Sequence, residues 1–213
     1  MYLISTKFGM IPNICTGIDN IISLNRDRIL YIDDFVFEDS IFYKKEISLR
    51  DFCNIPNHIK IYLMFKTNKN FKNGKLRIIN SKRGDKKIGK EEYEKILKIL
   101  DPDFYQDFDV QNTVISKNGE KIIVKDIKNI KDLDTRDTSL ISTNFINEMT
   151  DNGLMLKIQN DQLDVAEEVY DCECCGNLSK GYLLHLKKMK EINFFYYLTI
   201  HNYNTLYKFL EGK

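Results

Sequence analysis

The chain has 213 residues, a formal net charge of +1, 43% hydrophobic and 30% charged residues. That length carries one large domain or two small ones with a real core, and the balance excludes a disordered chain. There is no run of about eighteen apolar residues and no basic-then-apolar leader at the N-terminus, so neither membrane spanning nor secretion is expected.

In chain order, MYLIS and RILYIDDFVF read as strands, rich in β-branched and aromatic residues. A helix is predicted between them over Thr16–Leu24, with Thr16 as N-cap. Lys45–Phe52 is polar and ambiguous. Ile59–Lys66 is a continuous apolar run and reads as a buried strand. The turn cluster Asn68–Gly74 and a return strand Lys75–Asn80 predict a hairpin with it, and Ser81–Gly89 reads as a charged loop. Lys90–Leu100 is an amphipathic helix with Tyr93, Ile96, Leu97 and Leu100 on one face; Glu91 and Glu92 suit its positive end, and Pro102 stops it. Phe104–Phe108 is the next strand, and Asn118-Gly119 marks a hairpin between TVISK and KIIVKDI. Ser139–Phe145 and Gly153–Gln159 read as short strands, and Gln162–Val169 as a link. Ser179 is the expected N-cap of a helix from Lys180, and apolar residues at period 3–4 continue from Ile192 to Leu210.

Charge is uneven. Between Lys60 and Lys90 stand eleven Lys or Arg against one acid, Asp85. This is a candidate nucleic-acid footprint, with Lys72, Lys75, Arg77, Lys82 and Arg83 as candidate RNA contacts. The competing reading is a solvated strand and loop face in a Lys-rich composition. Asp101, Asp103, Asp107 and Asp109 form a carboxylate cluster that reads as turn and strand-end solvation ahead of metal binding.

Cys172, Cys174 and Cys175 lie within four residues, and His201 follows Cys175 by twenty-six. Thiolate and imidazole donors in such a group suit tetrahedral Zn²⁺. The alternative is cysteines without a ligand role and a core histidine. Cys15 and Cys53 read as small core residues. Metal-binding use of cysteine implies a reducing compartment, and cytoplasmic localisation is expected. No Gly-rich phosphate loop and no Gly-x-Ser-x-Gly motif is present. His58 and His185 read as structural or exposed.

Cys172, Cys175, Ser179-Lys180-Gly181-Tyr182, His185-Leu186 and Ile200-His201-Asn202 occur in the order found in the zinc-binding C-terminal segment of the tRNA-guanine transglycosylases, which this segment resembles. Within that family the adjacent cysteines, and Glu91–Phe108, look most like the non-catalytic accessory subunit of the eukaryotic queuine-inserting enzyme. The resemblance implies an α/β chain with a reduced or incomplete (β/α)₈-barrel-like fold. Its barrel-like domain would span 1–160, strand-rich at its N-terminal end, and a zinc-binding helical subdomain would span 161–213. It implies a zinc cofactor, and a catalytic transglycosylase subunit as partner in a heterodimer, or a second copy of the chain. Contact would run through Phe194, Phe195, Tyr196, Tyr197 and Tyr207. The complex would exchange guanine for queuine at the tRNA wobble position.

The departures from the family pattern are specific. Tyr170 stands where the family has its first cysteine, which leaves Cys172, Cys175 and His201, with Cys174 or water as the fourth ligand. Ser142 stands at the position of the family's nucleophilic aspartate, and the Asp-Ser-Gly-Gly element is absent. Glycosyl transfer of this kind is carboxylate chemistry, so catalytic silence is expected. Several central barrel strands are missing between about Val110 and Asp134, and a closed (β/α)₈ barrel takes about 250 residues. A second reading is a zinc-stabilised RNA- or ribosome-binding interaction protein.

Overall fold

The computed structural model describes residues 1–6, 10–11, 26–36, 45–66, 76–81, 84–127, 130–133, 139–166, 168–170 and 179–212. The expected helix at Thr16–Leu24, the Asn68–Gly74 turn and the three clustered cysteines lie outside the described residues. Two compact units emerge: residues 1–10, 26–126 and 139–142 in one, and 11–25, 127–138 and 143–213 in the other.

The first unit is a closed barrel of seven strands. They are β1 (Tyr2–Ser5), β2 (Arg28–Tyr31), β3 (Ile61–Met64), β6 (Phe104–Gln106), β7 (Thr113–Ser116), β8 (Lys121–Asp126) and β9 (Leu140–Ser142), in that order around the barrel. β1, β2, β3 and β6 run parallel, and β9 pairs in parallel with both β8 and β1. The β6–β7 and β7–β8 pairs are antiparallel. Two reversals restore the original direction, so β8 can accept β9. A parallel crossover takes a dozen or more residues, whereas a hairpin needs only a turn. Here that turn contains Gly119, whose φ of 84° suits glycine. The barrel therefore closes through a hairpin at the place where the resemblance puts missing strands.

The strands follow period 2. Leu3, Ile29, Tyr62, Met64, Val114, Val124 and Leu140 fill the barrel interior, where Tyr62 stacks on Phe104 with centroids 4.4 Å apart. Leu30, Ile61 and Leu63 face outward into a second cluster. That cluster includes Phe35 of α1 (Ile32–Phe35), Leu49 of α2 (Leu49–Cys53), and Tyr93, Ile96 and Leu100 of α3 (Lys90–Leu100). Strands covered on both faces read as continuous apolar runs, which is the pattern of IKIYLMF. The α3 helix is flanked by Gly89 as N-cap and by Asp101 as C-cap, which is left-handed at φ 44°. The ambiguous Lys45–Phe52 stretch contains all but the last residue of α2, capped by Ser48, whose Oγ accepts from the Asp51 amide. Its last residue, Cys53, is half-buried.

One expectation fails here. Arg77–Ser81 (β4) does not return onto β3. It pairs antiparallel with Gly84–Ile88 (β5), inside the stretch expected as a charged loop. Both edges of β3 are already taken, by β2 and β6.

The second unit holds α4 (Asn144–Asp151), the antiparallel hairpin β10 (Met155–Gln159) and β11 (Gln162–Ala166), α5 (Lys180–Met189) and α6 (Ile192–Glu211). Met155, Ala166, Val169, Leu183, Leu186, Phe194 and Leu198 form its core. Ser179 caps α5, accepting from the Tyr182 amide as the sequence predicts. The elements α4, β10 and β11 lie in the same unit as the C-terminal helices. Among the described residues no helix is long and apolar enough to cross a membrane.

At the end of the barrel where β2, β3 and β6 begin, Arg50 Nη1 donates to the carbonyls of Ile55, Pro56 and Ile59 at 3.3, 2.6 and 3.1 Å. Its Nη2 donates to Asp103 at 2.6 Å, and Asp103 also accepts from the Ile61 amide. Arg50→Ala is expected to cost about 2–3 kcal/mol of unfolding free energy, since it strands several partly buried acceptors. Urea unfolding monitored by circular dichroism checks it.

Candidate functional site

At the C-terminal ends of the barrel strands the interior changes from apolar to polar. Ser5 ends β1, Tyr31 ends β2, Gln106 ends β6, Asp126 ends β8 and Ser142 ends β9. Enzymes built on parallel barrels place their chemistry at this end. Ser5 Oγ and Tyr31 Oη are 2.8 Å apart, and Ser142 also hydrogen-bonds the phenol. Asp126 is in register with Ser142 across the β8–β9 pair. Ser5 and Ser142 are both buried. Burial pushes the Tyr31 phenol up to about 12; the Ser5 bond opposes the rise, while the charges of Asp126 and Asp34 add to it.

A phenol with that pKa keeps its proton at neutral pH, so it does not act as a base toward Ser142. The arrangement orients three hydroxyls against one another. Gln106 is likewise engaged, its Oε1 accepting from the Phe65 amide at 2.9 Å.

In the second unit the geometry centres on His201 and Asn202, both fully buried in α6. Asn202 Oδ1 accepts from the Leu156 amide at 2.8 Å, and His201 Nε2 lies 2.7 Å from the Leu156 carbonyl. Adjacent helix residues thus take both main-chain groups of one β10 residue. Asn202 Nδ2 also donates to Thr150 Oγ1 and the Leu154 carbonyl, and Tyr203 Oη donates to Asn147 Oδ1. Tyr170 Oη donates to the same Leu156 carbonyl at 2.8 Å and lies 3.3 Å from His201 Nε2.

These contacts test the fit of zinc. A carbonyl only accepts, so Nε2 carries the hydrogen and the ring's lone pair is on Nδ1. A histidine that ligates through one nitrogen and donates its other N–H to a carbonyl is the usual metal-site arrangement, so His201 fits as a ligand through Nδ1. Cys172, Cys174 and Cys175 lie outside the described residues, and among those described no three His, Cys, Asp or Glu side chains come together to hold a metal.

The other expected site residues divide. Lys72, Lys75, Lys82 and Arg83 lie outside the described residues. Arg77 is corrected. It is 2% exposed, its guanidinium lies over the rings of Phe65 and Phe108, and it donates to the Phe108 carbonyl at 2.8 Å. A cation committed in this way is part of the barrel unit's own packing. Other charges of the basic stretch are partly neutralised, by pairs Lys66–Asp34, Lys86–Glu92 and Lys90–Asp109. Tyr207 is also corrected as a partner contact: it is 4% exposed and stacks on Tyr203. Phe194 is buried too, whereas Phe195, Tyr196 and Tyr197 are half-exposed.

The four clustered aspartates each have a cationic partner. Asp101 pairs with Lys117, Asp103 with Arg50, Asp107 with Lys121 and Asp109 with Lys90. The last two pairs rim a cleft of about 290 Å³ floored by Tyr93, Leu97, Tyr105 and Ile115.

Two outcomes follow. Asn202→Ala leaves the Leu156 amide and Thr150 without their buried partner and is expected to destabilise the chain by about 2–3 kcal/mol in denaturant titration. The phenols of Tyr31, Tyr62 and Tyr93 are all raised by burial. For Tyr31 the unfolded chain loses its proton near pH 10 while the folded chain keeps it to about 12. Stability is therefore full below about pH 10 and falls across that window. Tyr31→Phe is expected to flatten the fall, read as unfolding free energy against pH.

Residues 133–212 match the family model described as queuine tRNA-ribosyltransferase. No curated protein matches the chain. The matched segment contains β9, α4, the β10–β11 hairpin, α5 and α6, and so both Ser142 and the His201–Asn202 pair. In this segment the chain is similar to the queuine tRNA-ribosyltransferases.

Proposed function

We propose that this chain is a shortened, non-catalytic accessory subunit of a queuine tRNA-ribosyltransferase. It pairs with a catalytic subunit that exchanges guanine for queuine at the tRNA wobble position. The observation that carries this reading is Ser142. At the position of the family's nucleophilic aspartate, the chain places a buried hydroxyl bonded to a phenol that holds its proton to about pH 12. No carboxylate attack on a ribose carbon can start from that residue.

The half-exposed Phe195, Tyr196 and Tyr197 on α6 supply apolar surface for the partner. Zinc held by His201 with the clustered cysteines would supply structural cross-linking: it would fasten the segment ahead of α5 to α6 and contribute to folding of this unit. Contacts to tRNA phosphates fall to Lys72, Lys75, Lys82 and Arg83, with Arg77 removed from that set by its burial.

The test mixes the purified chain with a catalytic tRNA-guanine transglycosylase and follows sedimentation together with exchange of labelled guanine in tRNA. A stoichiometric complex, with exchange that needs the catalytic chain, is the expected result. Exchange by this chain alone overturns the silent-subunit reading. A zinc-loaded chain that binds tRNA or ribosomes but no transglycosylase replaces it with the interaction-protein reading.

A further inference from the structure

The cleft of about 290 Å³ on the barrel unit lies between α3 and strands β6, β7 and β8. Tyr105, Ile115 and Lys121 stand side by side in one row across the three strands, set by the register of both antiparallel pairs. Tyr93, Glu94 and Leu97 of α3 form the facing wall. A parallel connection would bring a crossover helix over this row. β7 and β8 are joined by a turn instead, and Tyr105 and Ile115 stay half-exposed beside α3. The buried charge of the cleft is Asp107, whose side chain is 9% exposed. Its Oδ1 accepts from the Asp109 amide at 2.9 Å, and its Oδ2 accepts from Lys121 Nζ at 2.9 Å. Burial alone would raise this carboxyl, but the bonds from Lys121 and the Asp109 amide outweigh it and hold the group below the usual carboxylate range. Asp107 is therefore ionised at neutral pH.

The two partners of Asp107 differ in kind. The Asp109 amide is held by the backbone, whereas Lys121 is 61% exposed and ends a flexible four-carbon stem. A lysine so exposed gains little from its ion pair, so another ammonium can take its place on Oδ2 at small cost. The charge around the cleft also favours a cation: Glu94, Asp107 and Asp109 outnumber Lys90 and Lys121. Tyr93 commits its hydroxyl to the Gln106 carbonyl at 2.7 Å, and so turns apolar ring surface to the cleft. We propose that this cleft binds a small organic amine, a primary ammonium on an apolar or aromatic body. The ammonium replaces Lys121 on Asp107, and the body lies against Tyr93, Leu97, Tyr105 and Ile115. An anion of the same shape meets a buried carboxylate and is rejected; an amine without the body buries no apolar surface. The site is on the outer face of the barrel unit and is independent of the accessory-subunit reading.

The experiment records ¹H–¹⁵N spectra of the full ¹⁵N-labelled chain at neutral pH while phenethylamine is added, with phenylpropionate and ethylamine as controls. Phenethylamine is expected to bind with a Kd of about 1 mM or tighter and to shift the amides of Asp107, Asp109, Ile115 and Lys121. Each control is expected to bind at least about 10-fold more weakly. Lys121→Ala removes the competing ammonium and is expected to tighten phenethylamine binding about 2- to 5-fold, the size of an exposed ion pair. Asp107→Asn keeps the acceptor for the Asp109 amide, removes the charge, and is expected to weaken binding about 10- to 100-fold. Should Asp107→Asn not fold, Lys121→Ala, at an exposed position, carries the decision. No binding of phenethylamine overturns the proposal. So does phenylpropionate binding as tightly, a set of shifts confined to residues away from the cleft, or a Lys121→Ala chain that binds no tighter than wild type.

Discussion

Every strand edge presents main-chain groups that need partners, and both units are shaped by how that demand is met. In the barrel it is met by closure. Seven strands leave no edge, because the chain reverses twice, from β6 to β7 and from β7 to β8, and so runs parallel to β9. In the second unit the β10–β11 hairpin is only two strands wide, and such a hairpin is marginal alone. Its outer groups at Leu156 are taken by side chains: Asn202 for the amide, His201 and Tyr170 for the carbonyl. The His-Asn dipeptide is therefore a clamp between a helix and a sheet edge before it is anything else. The Leu156 carbonyl only accepts, so the clamp also fixes which nitrogen of His201 carries the hydrogen.

The barrel end that serves chemistry in related architectures is filled here by the chain's own bonds. Ser5 and Ser142 each bond to Tyr31, Gln106 accepts from the Phe65 amide, and Arg77 lies over Phe65 and Phe108. A buried hydroxyl network is strong when fully satisfied, because the low local dielectric penalises any loose end. It also raises the phenol's pKa, since burial disfavours phenolate. A site that needs an ionised carboxylate and a site that keeps neutral hydroxyls together call for opposite electrostatics. At Ser5, Tyr31 and Ser142 the chain has the second.

Charge in this chain is a poor guide to partners until its neighbours are known. The run of basic residues between Lys60 and Lys90 looks like one patch in sequence. Folding distributes it: Arg77 becomes part of the packing, and several lysines meet carboxylates from α1, α3 and the loop after β6. Exposed pairs of this kind contribute little stability, but they lower the net field that a polyanion would meet.

The sequence by itself determined the elements whose signals are local. Apolar runs marked β1, β2 and β3; helical period and Ser179 marked α3, α5 and α6; Asn118-Gly119 marked the β7–β8 turn. The Cys and His pattern pointed to the part of the chain that the family match covers. Tertiary structure alone decided the pairings, since register and strand partners depend on residues far apart in the chain. GDKKI has one apolar residue and reads as a loop, yet it pairs with β4 because the edges of β3 are occupied. β11 was legible only through Asn160-Asp161, which turn at positive φ between two strands, a signal easily lost in a polar link. α4 was hidden because Phe145 and Ile146 extend the apolar run of β9 and Thr143 makes no side-chain cap. The burial of Arg77, the hydroxyl network at Ser142 and the hold of His201 on Leu156 are contacts across 31, 111 and 45 residues of chain, and no local pattern encodes them.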